Sequence, residues 1–406
     1  MKRNFIWNIV GSTAVAAFTV IISLMITRIS GLDAAGIFSI GIAIANLLYT
    51  VATFGIRNFQ ASDVKGEYKF NDYLYTRVFT CIVAIITSLF IIYNNHYKLD
   101  VLLVILVLCL YKVIDAISDV YQGMFQLNNR LDIAGKSNFI RIVASVVLFT
   151  LILFYTNNLL VACLGMFLIN AALVYVYDIR KAKSFLKYEG KTNISTVFNI
   201  LRNTVTLFGT LFLLTYIVNS SKYAIDQFMG TEEQAIYNIL FLPSLVINLA
   251  MEFLLRPILV SLAYKWENDD IKSFLLEIYK IVGIAIICGG IGIIVSYYIG
   301  IPVLQILYKV PLEQYKWILI ILMTSAGITA IGRVFTYGLI TMRKQKILLI
   351  CYVMGALGAY FLTTILVREY GMMGAAVGNL GVSIILSISL WIALIRISLK
   401  KCIKVI

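Results

Sequence analysis

Long apolar runs separated by short polar gaps dominate this chain. Each run holds about 20 residues or more, the length a helix needs to cross a hydrocarbon core of roughly 30 Å. The pattern predicts twelve spans, near residues 5–27, 34–56, 74–93, 101–125, 138–156, 159–177, 203–221, 235–255, 274–299, 317–341, 347–367 and 371–395. The fold class is therefore all-α, a polytopic membrane protein.

The polar gaps alternate in charge. With Lys2 and Arg3 holding the N-terminus inside, the gaps after even-numbered spans and the C-terminal tail are expected to be cytoplasmic. They hold Arg57, Lys65, Lys69 and Arg77; Arg130, Lys136 and Arg141; Arg180, Lys181, Lys183, Lys187, Lys191 and Arg202; Arg256, Lys265, Lys272 and Lys280; Arg343, Lys344 and Lys346; and Arg396, Lys400, Lys401 and Lys404. The opposite gaps hold only Arg28, Lys98, Lys222, Lys309, Lys316 and Arg368. Both termini are expected to be cytoplasmic. The net charge of +14, in a chain that is 61% apolar, thus reports membrane orientation. Its basic residues are dispersed over loops instead of forming one patch, which argues against a nucleic-acid partner.

Composition removes several chemistries. The six cysteines are scattered without a C-x-x-C pair, so neither a disulfide framework nor a zinc site is supported. The one histidine, His96, falls in a short outer loop, where a solvated surface residue is the default. There is no phosphate-binding G-x-x-x-x-G-K-[ST] loop, and no cofactor, metal site or catalytic constellation is expected. The first apolar run has no small-residue cleavage site before Arg28 and reads as a retained helix.

The longest polar stretch, 178–202, carries six basic residues and divides the chain near its midpoint. This gives an N-terminal six-helix lobe (1–177), a basic cytoplasmic linker (178–202) and a C-terminal six-helix lobe (203–406). A shift of 199 residues lays Gly31-Leu32-Asp33-Ala34-Ala35-Gly36-Ile37-Phe38 on Gly230-Thr231-Glu232-Glu233-Gln234-Ala235-Ile236-Tyr237, Phe54 on Phe253 and Arg57 on Arg256. Parallel repeats of this kind are a transporter design, with a substrate site between halves and alternating access. A channel or membrane enzyme with an even number of spans is the alternative.

Ionisable residues inside spans are expensive, about 2.5 to 3.5 kcal/mol at the bilayer centre, and need a partner or a wet cavity. Span 4 carries Lys112, Asp115 and Asp119, which with Gln122 and Gln126 fall within an arc of roughly 80° on one helix face. One reading is an internal Lys112–Asp115 salt bridge with the other groups gluing helices together. The other is a hydrated lumen in which Asp115 or Asp119 binds a coupling cation. Span 10 places Arg333 near mid-membrane on one face with Ser325, Thr329 and Thr336. Its counter-charge is expected to be Asp115 or Asp119 of the other lobe, or a substrate phosphate gripped by two nitrogens. In span 1, Asn8, Ser12, Thr19, Ser23 and Ser30 line one face suited to close packing or to a sugar-compatible wall. Lys222 and Asp226 are four apart at the end of span 7 and are expected to pair; Asp226 is a further candidate for a coupling ion. Arg28, Arg57 and Arg256 mark helix ends as snorkelling anchors or as cations at a cavity mouth. Pro243 is expected to kink span 8.

Four short segments give a resemblance over essentially the whole chain. They are Arg28-Ile29-Ser30-Gly31 followed by Gly36-Ile37-Phe38; Phe54-Gly55-Ile56-Arg57; Gln122-Gly123-Met124-Phe125-Gln126 with Arg130; and Asp226-Gln227-Phe228-Met229-Gly230. In this order the chain resembles the Wzx-type polysaccharide flippases, a family related to multidrug and toxic-compound extrusion transporters and to lipid II flippases. The resemblance implies a V-shaped, alternating-access pair of six-helix bundles in the bacterial cytoplasmic (inner) membrane. It also implies a substrate, undecaprenyl-pyrophosphate-linked oligosaccharide, moved from the cytoplasmic to the outer leaflet for O-antigen, capsule or exopolysaccharide synthesis. A polysaccharide polymerase and other assembly proteins are the implied partners. In such a site Arg333 and Lys112 would attract the phosphates, and Asp115, Asp119, Gln122 and Gln126 would bond hydroxyls. The rival, cation-coupled multidrug efflux on the same fold, generally uses a carboxylate cluster within one lobe; here span 1 has no acid and span 4 mixes its acids with a lysine. A membrane glycosyltransferase or polymerase would carry a large polar outer loop, and no outer gap exceeds about 20 residues.

Overall fold

The computed structural model describes residues 2–63, 66–95, 97–185 and 193–405, less the side chains of residues 2, 3, 5, 252, 253, 256, 257, 260 and 402–405. His96, Lys65, Lys187 and Lys191, and the side chain of Arg256, therefore lie outside it. The described residues are helical almost throughout and contain no strand, the outcome expected when lipid offers no partner for backbone N–H and C=O groups. Among the described residues ten helices are long and apolar enough to cross a bilayer, and two of these are interrupted internally by a glycine. Counting both sides of each break gives the twelve spans read from the sequence.

Two compact units divide the chain, Met1–Thr215 and Tyr216–Ile406. The first holds α1 (Lys2–Thr53), α2 (Ile56–Ser62), α3 (Phe70–Asn94), α4 (Leu99–Leu127), α5 (Leu131–Thr156), α6 (Leu159–Leu173) with a π-helical turn at Val174–Ile179, α7 (Arg180–Ala182), and the start of α8 (Ile194–Phe228). The second holds the rest of α8, then α9 (Thr231–Glu267), α10 (Ile271–Val295), a second π-helical turn at Ser296–Gly300, α11 (Ile301–Tyr308), α12 (Lys316–Thr341) and α13 (Gln345–Val405).

The interrupting glycines are Gly31 in α1, at φ 87° and ψ −174°, and Gly371 in α13, at φ 57° and ψ −136°. Side chains other than hydrogen rarely adopt positive φ. Beyond Gly371 the chain doubles back: a Cβ on Gly374 would strike the Leu366 carbonyl, and Gly378 faces Thr363. Small residues thus let the two arms of α13 approach closely. Gly230, which the 199-residue shift matches to Gly31, stands at the break between α8 and α9, where its N–H donates to Glu233 Oε2 at 3.1 Å. The helix α9 runs without a break from Thr231 to Glu267, through Pro243. The Ser244 hydroxyl donates to the Phe241 carbonyl at 2.6 Å within that turn.

Candidate functional site

The polar face of α4 is the centre of unit 1, and six other segments supply its partners. Asp119 is held from two sides: Oδ2 accepts from Arg77 Nη2 at 2.9 Å, and Oδ1 from Arg57 Nη1 at 3.2 Å. Arg77 is fully buried. Its Nη1 donates to the Ala52 carbonyl at 2.7 Å, an oxygen that also accepts from Thr80 Oγ1 at 2.6 Å. Ala52 sits in the last turn of α1, where carbonyls lack intrahelical partners and the helix end is partly negative. Arg77 therefore caps α1 and neutralises Asp119 with one guanidinium.

Arg57 lies along α4 instead of standing off it. Besides Asp119 it donates to Gln122 Oε1 at 3.1 Å and to Gln126 Oε1 at 3.3 and 3.4 Å. Two of the sequence motifs explain this placement. Phe54 and Gly55, both at positive φ, turn the chain from α1 into α2. A Cβ at Gly123 would strike Gln60 Oε1 and come within 3.4 Å of Arg57 Cγ, so glycine at this position lets α2 lie close on α4.

One helical turn away, Asp115 repeats the arrangement. Oδ1 accepts from Arg141 Nη1 at 3.1 Å and Asn170 Nδ2 at 3.1 Å; Oδ2 accepts from Lys112 Nζ at 3.4 Å. Arg141 is buried and also donates to Asn138 Oδ1 and Asn170 Oδ1. Lys112 Nζ sits over the rings of Tyr49 and Tyr111 at 5.5 and 5.6 Å, a cation–π setting. The two aspartates are joined through Asn138, which exchanges hydrogen bonds with Gln122 at 2.7 and 3.3 Å. Gln122 Nε2 also donates to Ser118 Oγ, whose hydroxyl donates to Asp178 Oδ2 at 2.6 Å. Asp178 is fully buried in the π-helical turn after α6, a form enriched at functional sites.

Each aspartate thus has one buried arginine behind it and one partly accessible cation in front. Side-chain exposure is 0% for Arg77 and 6% for Arg141, against 29% for Arg57 and 16% for Lys112. Four cations meet three carboxylates in this cluster, which leaves it net positive.

The structure redistributes several expectations. Arg77 and Arg141, counted among cytoplasmic gap residues, lie inside α3 and α5 and belong to the buried core. Asp178, read as the start of the linker, belongs to the same core. Arg77, Arg141, Asn138, Asn170 and Asp178 are the members that sequence reasoning missed. The available signal was that two aspartates on one apolar helix require cations, and that Arg141 is embedded in the apolar run Phe139-Ile140-Arg141-Ile142-Val143. The Lys112–Asp115 bridge is present as expected. Both oxygens of Asp115 and of Asp119 are engaged within unit 1, so neither needs Arg333 as its counter-charge.

In unit 2, Arg333 is half-buried on α12. The hydroxyls on its face are occupied in packing: Ser325 and Thr329 bond Ser383 at 2.8 and 3.0 Å, Ser325 donates to Asn379 Oδ1 at 2.5 Å, and Thr336 meets Tyr352 at 3.3 Å. Lys222 is buried and reaches across to α9, donating to Asn238 Oδ1 at 2.7 Å and sitting 5.3 Å from the Phe241 ring centre; the pairing expected of it was with Asp226 on its own helix. Asp226 is half-buried near the end of α8, and Arg28 is exposed beside the Gly31 break. Among the described residues no cluster of His, Cys, Asp and Glu has the geometry to hold a metal ion.

The family profile described as polysaccharide biosynthesis protein matches residues 1–262. The chain belongs to that family. Over 334 residues it is 23% identical to the capsular polysaccharide biosynthesis protein CapF of Staphylococcus aureus, with 79% of this chain and 81% of that protein aligned. Its fold is similar to an inward-facing multidrug resistance MATE-family transporter of the MOP superfamily, at TM-score 0.73, 12% identity and 97% and 98% coverage of the two chains. It is also similar to the lipid II flippase MurJ in an inward closed conformation, at TM-score 0.69, 13% identity and 99% and 90% coverage. The family member is thus a multi-pass membrane protein with the fold of these transporters.

Proposed function

We propose that this protein is a flippase for undecaprenyl-pyrophosphate-linked oligosaccharide, moving repeat units from the cytoplasmic to the outer leaflet of the bacterial cytoplasmic membrane for surface polysaccharide synthesis. One observation carries the reading: Asp115 and Asp119 each hold an accessible cation, Lys112 and Arg57, against a buried arginine. A transported pyrophosphate needs positive charge that faces the path without being free to wander. Here the carboxylates orient the cations and the buried arginines offset the carboxylates, so the accessible surface of the cluster stays positive. Arg57 offers a planar fork suited to phosphate oxygens, and Lys112 a point charge between tyrosine rings. Gln122 and Gln126 hold Arg57 on α4, and Arg333 of unit 2 is proposed as a third phosphate-facing cation, joined by Arg28 near the Gly31 break; Arg256, expected at a helix end, falls within α9. Both termini lie in the cytoplasm in this reading.

The same observation speaks against cation-coupled drug efflux. A coupling ion at Asp115 or Asp119 would have to displace an arginine or lysine from a carboxylate with both oxygens engaged. Asp226 stays a candidate coupling residue outside this cluster.

Reconstitution tests the proposal. The full-length protein in proteoliposomes is expected to translocate a short-chain polyprenyl-pyrophosphate oligosaccharide. Arg57→Gln and Lys112→Gln each remove hydrogen bonds to charged phosphate worth about 1.5 to 3 kcal/mol, a rate loss of about 10- to 150-fold. Wild-type rates in both variants would remove the cluster from the transport path.

A further inference from the structure

Where α4 gives way to α5 and the α6–α7 segment ends, unit 1 holds a second basic feature, separate from the aspartate cluster. A cavity of about 220 Å³ is lined by Arg130, Asp132, Lys136, Tyr177, Lys181 and Ser184. Its acid is already engaged: Asp132 is buried and accepts from Arg130 Nε at 2.8 Å and Nη2 at 3.2 Å. Lys136 and Lys181 have no carboxylate partner among the described residues. Lys136 Nζ instead lies 5.0 Å from the centre of the Trp7 ring, and Lys181 is exposed at the rim. Among the described residues that line the cavity, three cations and one carboxylate leave a surplus of two positive charges.

Position and size narrow the ligand. The C-terminal end of α4, the N-terminal end of α5 and the end of the α6–α7 segment meet here, so the cavity lies at the level where spans leave the hydrocarbon. Trp7 and Tyr177 are residues suited to that depth. The floor is apolar, formed by buried Ile133. The volume falls below the roughly 300 to 1,000 Å³ of pockets for drug-sized molecules, too small for an oligosaccharide but sufficient for a phosphate group.

We propose that this cleft binds the phosphate of an anionic phospholipid headgroup, with Lys136 and Lys181 as the gripping cations and the Arg130–Asp132 pair as a rigid wall. Basic pockets between membrane helices on the cytoplasmic side are a recurrent form of lipid recognition. The site is independent of the transported substrate, since no residue of the aspartate cluster lines it.

Native mass spectrometry of the full-length protein, titrated with phosphatidylglycerol or phosphatidylcholine, tests the assignment. Phosphatidylglycerol is expected to be retained in preference. Lys136→Gln and Lys181→Gln are each expected to weaken its retention about fivefold, the weight of one basic residue at an anionic surface. Lys183→Gln, outside the cavity, leaves retention unchanged, and the double Lys→Arg variant keeps it, which separates lost charge from lost folding. Equal retention of the two lipids, or full retention in the double Lys→Gln variant, overturns the site. Displacement of phosphatidylglycerol by an equal concentration of inorganic phosphate overturns the lipid as its source.

Discussion

Asp119 and Arg77 meet at 2.9 Å with the arginine fully withdrawn from solvent, and that contact separates two roles within one cluster. Arg77 ties α3 to α4 and to the end of α1, whereas Arg57, on the other oxygen of Asp119, is partly accessible. Arg77→Ala leaves a buried carboxylate short of its main partner, and breaking a buried pair this way costs about 3 to 5 kcal/mol. Thermal unfolding in detergent is expected to show a large loss for Arg77→Ala and a small one for Arg57→Gln, with transport lost in both.

Asp115 gives the complementary case. Asp115→Asn keeps the shape but removes the charge that Arg141 and Lys112 share, and Arg141 is the deeper of the two. The variant is expected to lose stability through Arg141, and pairing it with Arg141→Met should restore part of it, because a neutral isostere of a buried ion pair is often tolerated. Melting temperatures of the two single variants and the double variant measure this coupling. Additive losses would show that Arg141 is not anchored by Asp115.

Gly31 has no heavy atom within 4 Å of where a Cβ would stand, so any effect of replacing it comes from the backbone. Its φ and ψ fall in a region nearly exclusive to glycine, where strain is of order 1 to 3 kcal/mol. Gly31→Ala is expected to lower stability by about that amount without a steric clash, measurable as a shift in melting temperature. Gly378→Ala, which brings its methyl to 3.3 Å from both Cα and Cγ2 of Thr363, acts by crowding, and Thr363→Ser, which removes only the Cγ2 contact, is expected to rescue it in part.

Outside the spans, Asp63 closes the turn between α2 and α3. Burial works to raise its pKa, but N–H groups of Glu67 and Tyr68 and the Tyr73 hydroxyl, at 2.9 to 3.0 Å, favour the carboxylate and hold the group below its ordinary value. A depressed folded pKa means that the stabilisation is present above the unfolded value of 3.8 and fades as pH falls through the lower folded value. Asp63→Asn is expected to flatten the acid limb of stability against pH below about pH 4 while changing nothing in its slope near pH 7.

The twelve spans and the α4 stripe were legible in the sequence because lipid imposes them: a span must be apolar for about 20 residues, and helical periodicity alone puts Lys112, Asp115 and Asp119 on one face. What closes the stripe was not legible. Arg77 and Arg141 look like the basic residues that flank spans on the cytoplasmic side, and only the partners brought by α3 and α5 reveal them as core. Lys222 was misassigned for a related reason, since i, i+4 spacing makes a pair available on one helix, whereas Asn238 on the next helix holds the ammonium.

In the proposed function the accessible cations of this cluster carry a lipid-linked oligosaccharide outward. The most direct measurement is to replace the gene in its host by the Arg57→Gln/Lys112→Gln variant, beside a deletion and the wild type, and to quantify surface polysaccharide, lipid-linked repeat units by leaflet, and sensitivity to cationic drugs. Both altered strains are expected to lose the polymer and to accumulate repeat units on the cytoplasmic leaflet. Intact polymer in the deletion strain, with new drug sensitivity, would contradict it and establish efflux instead.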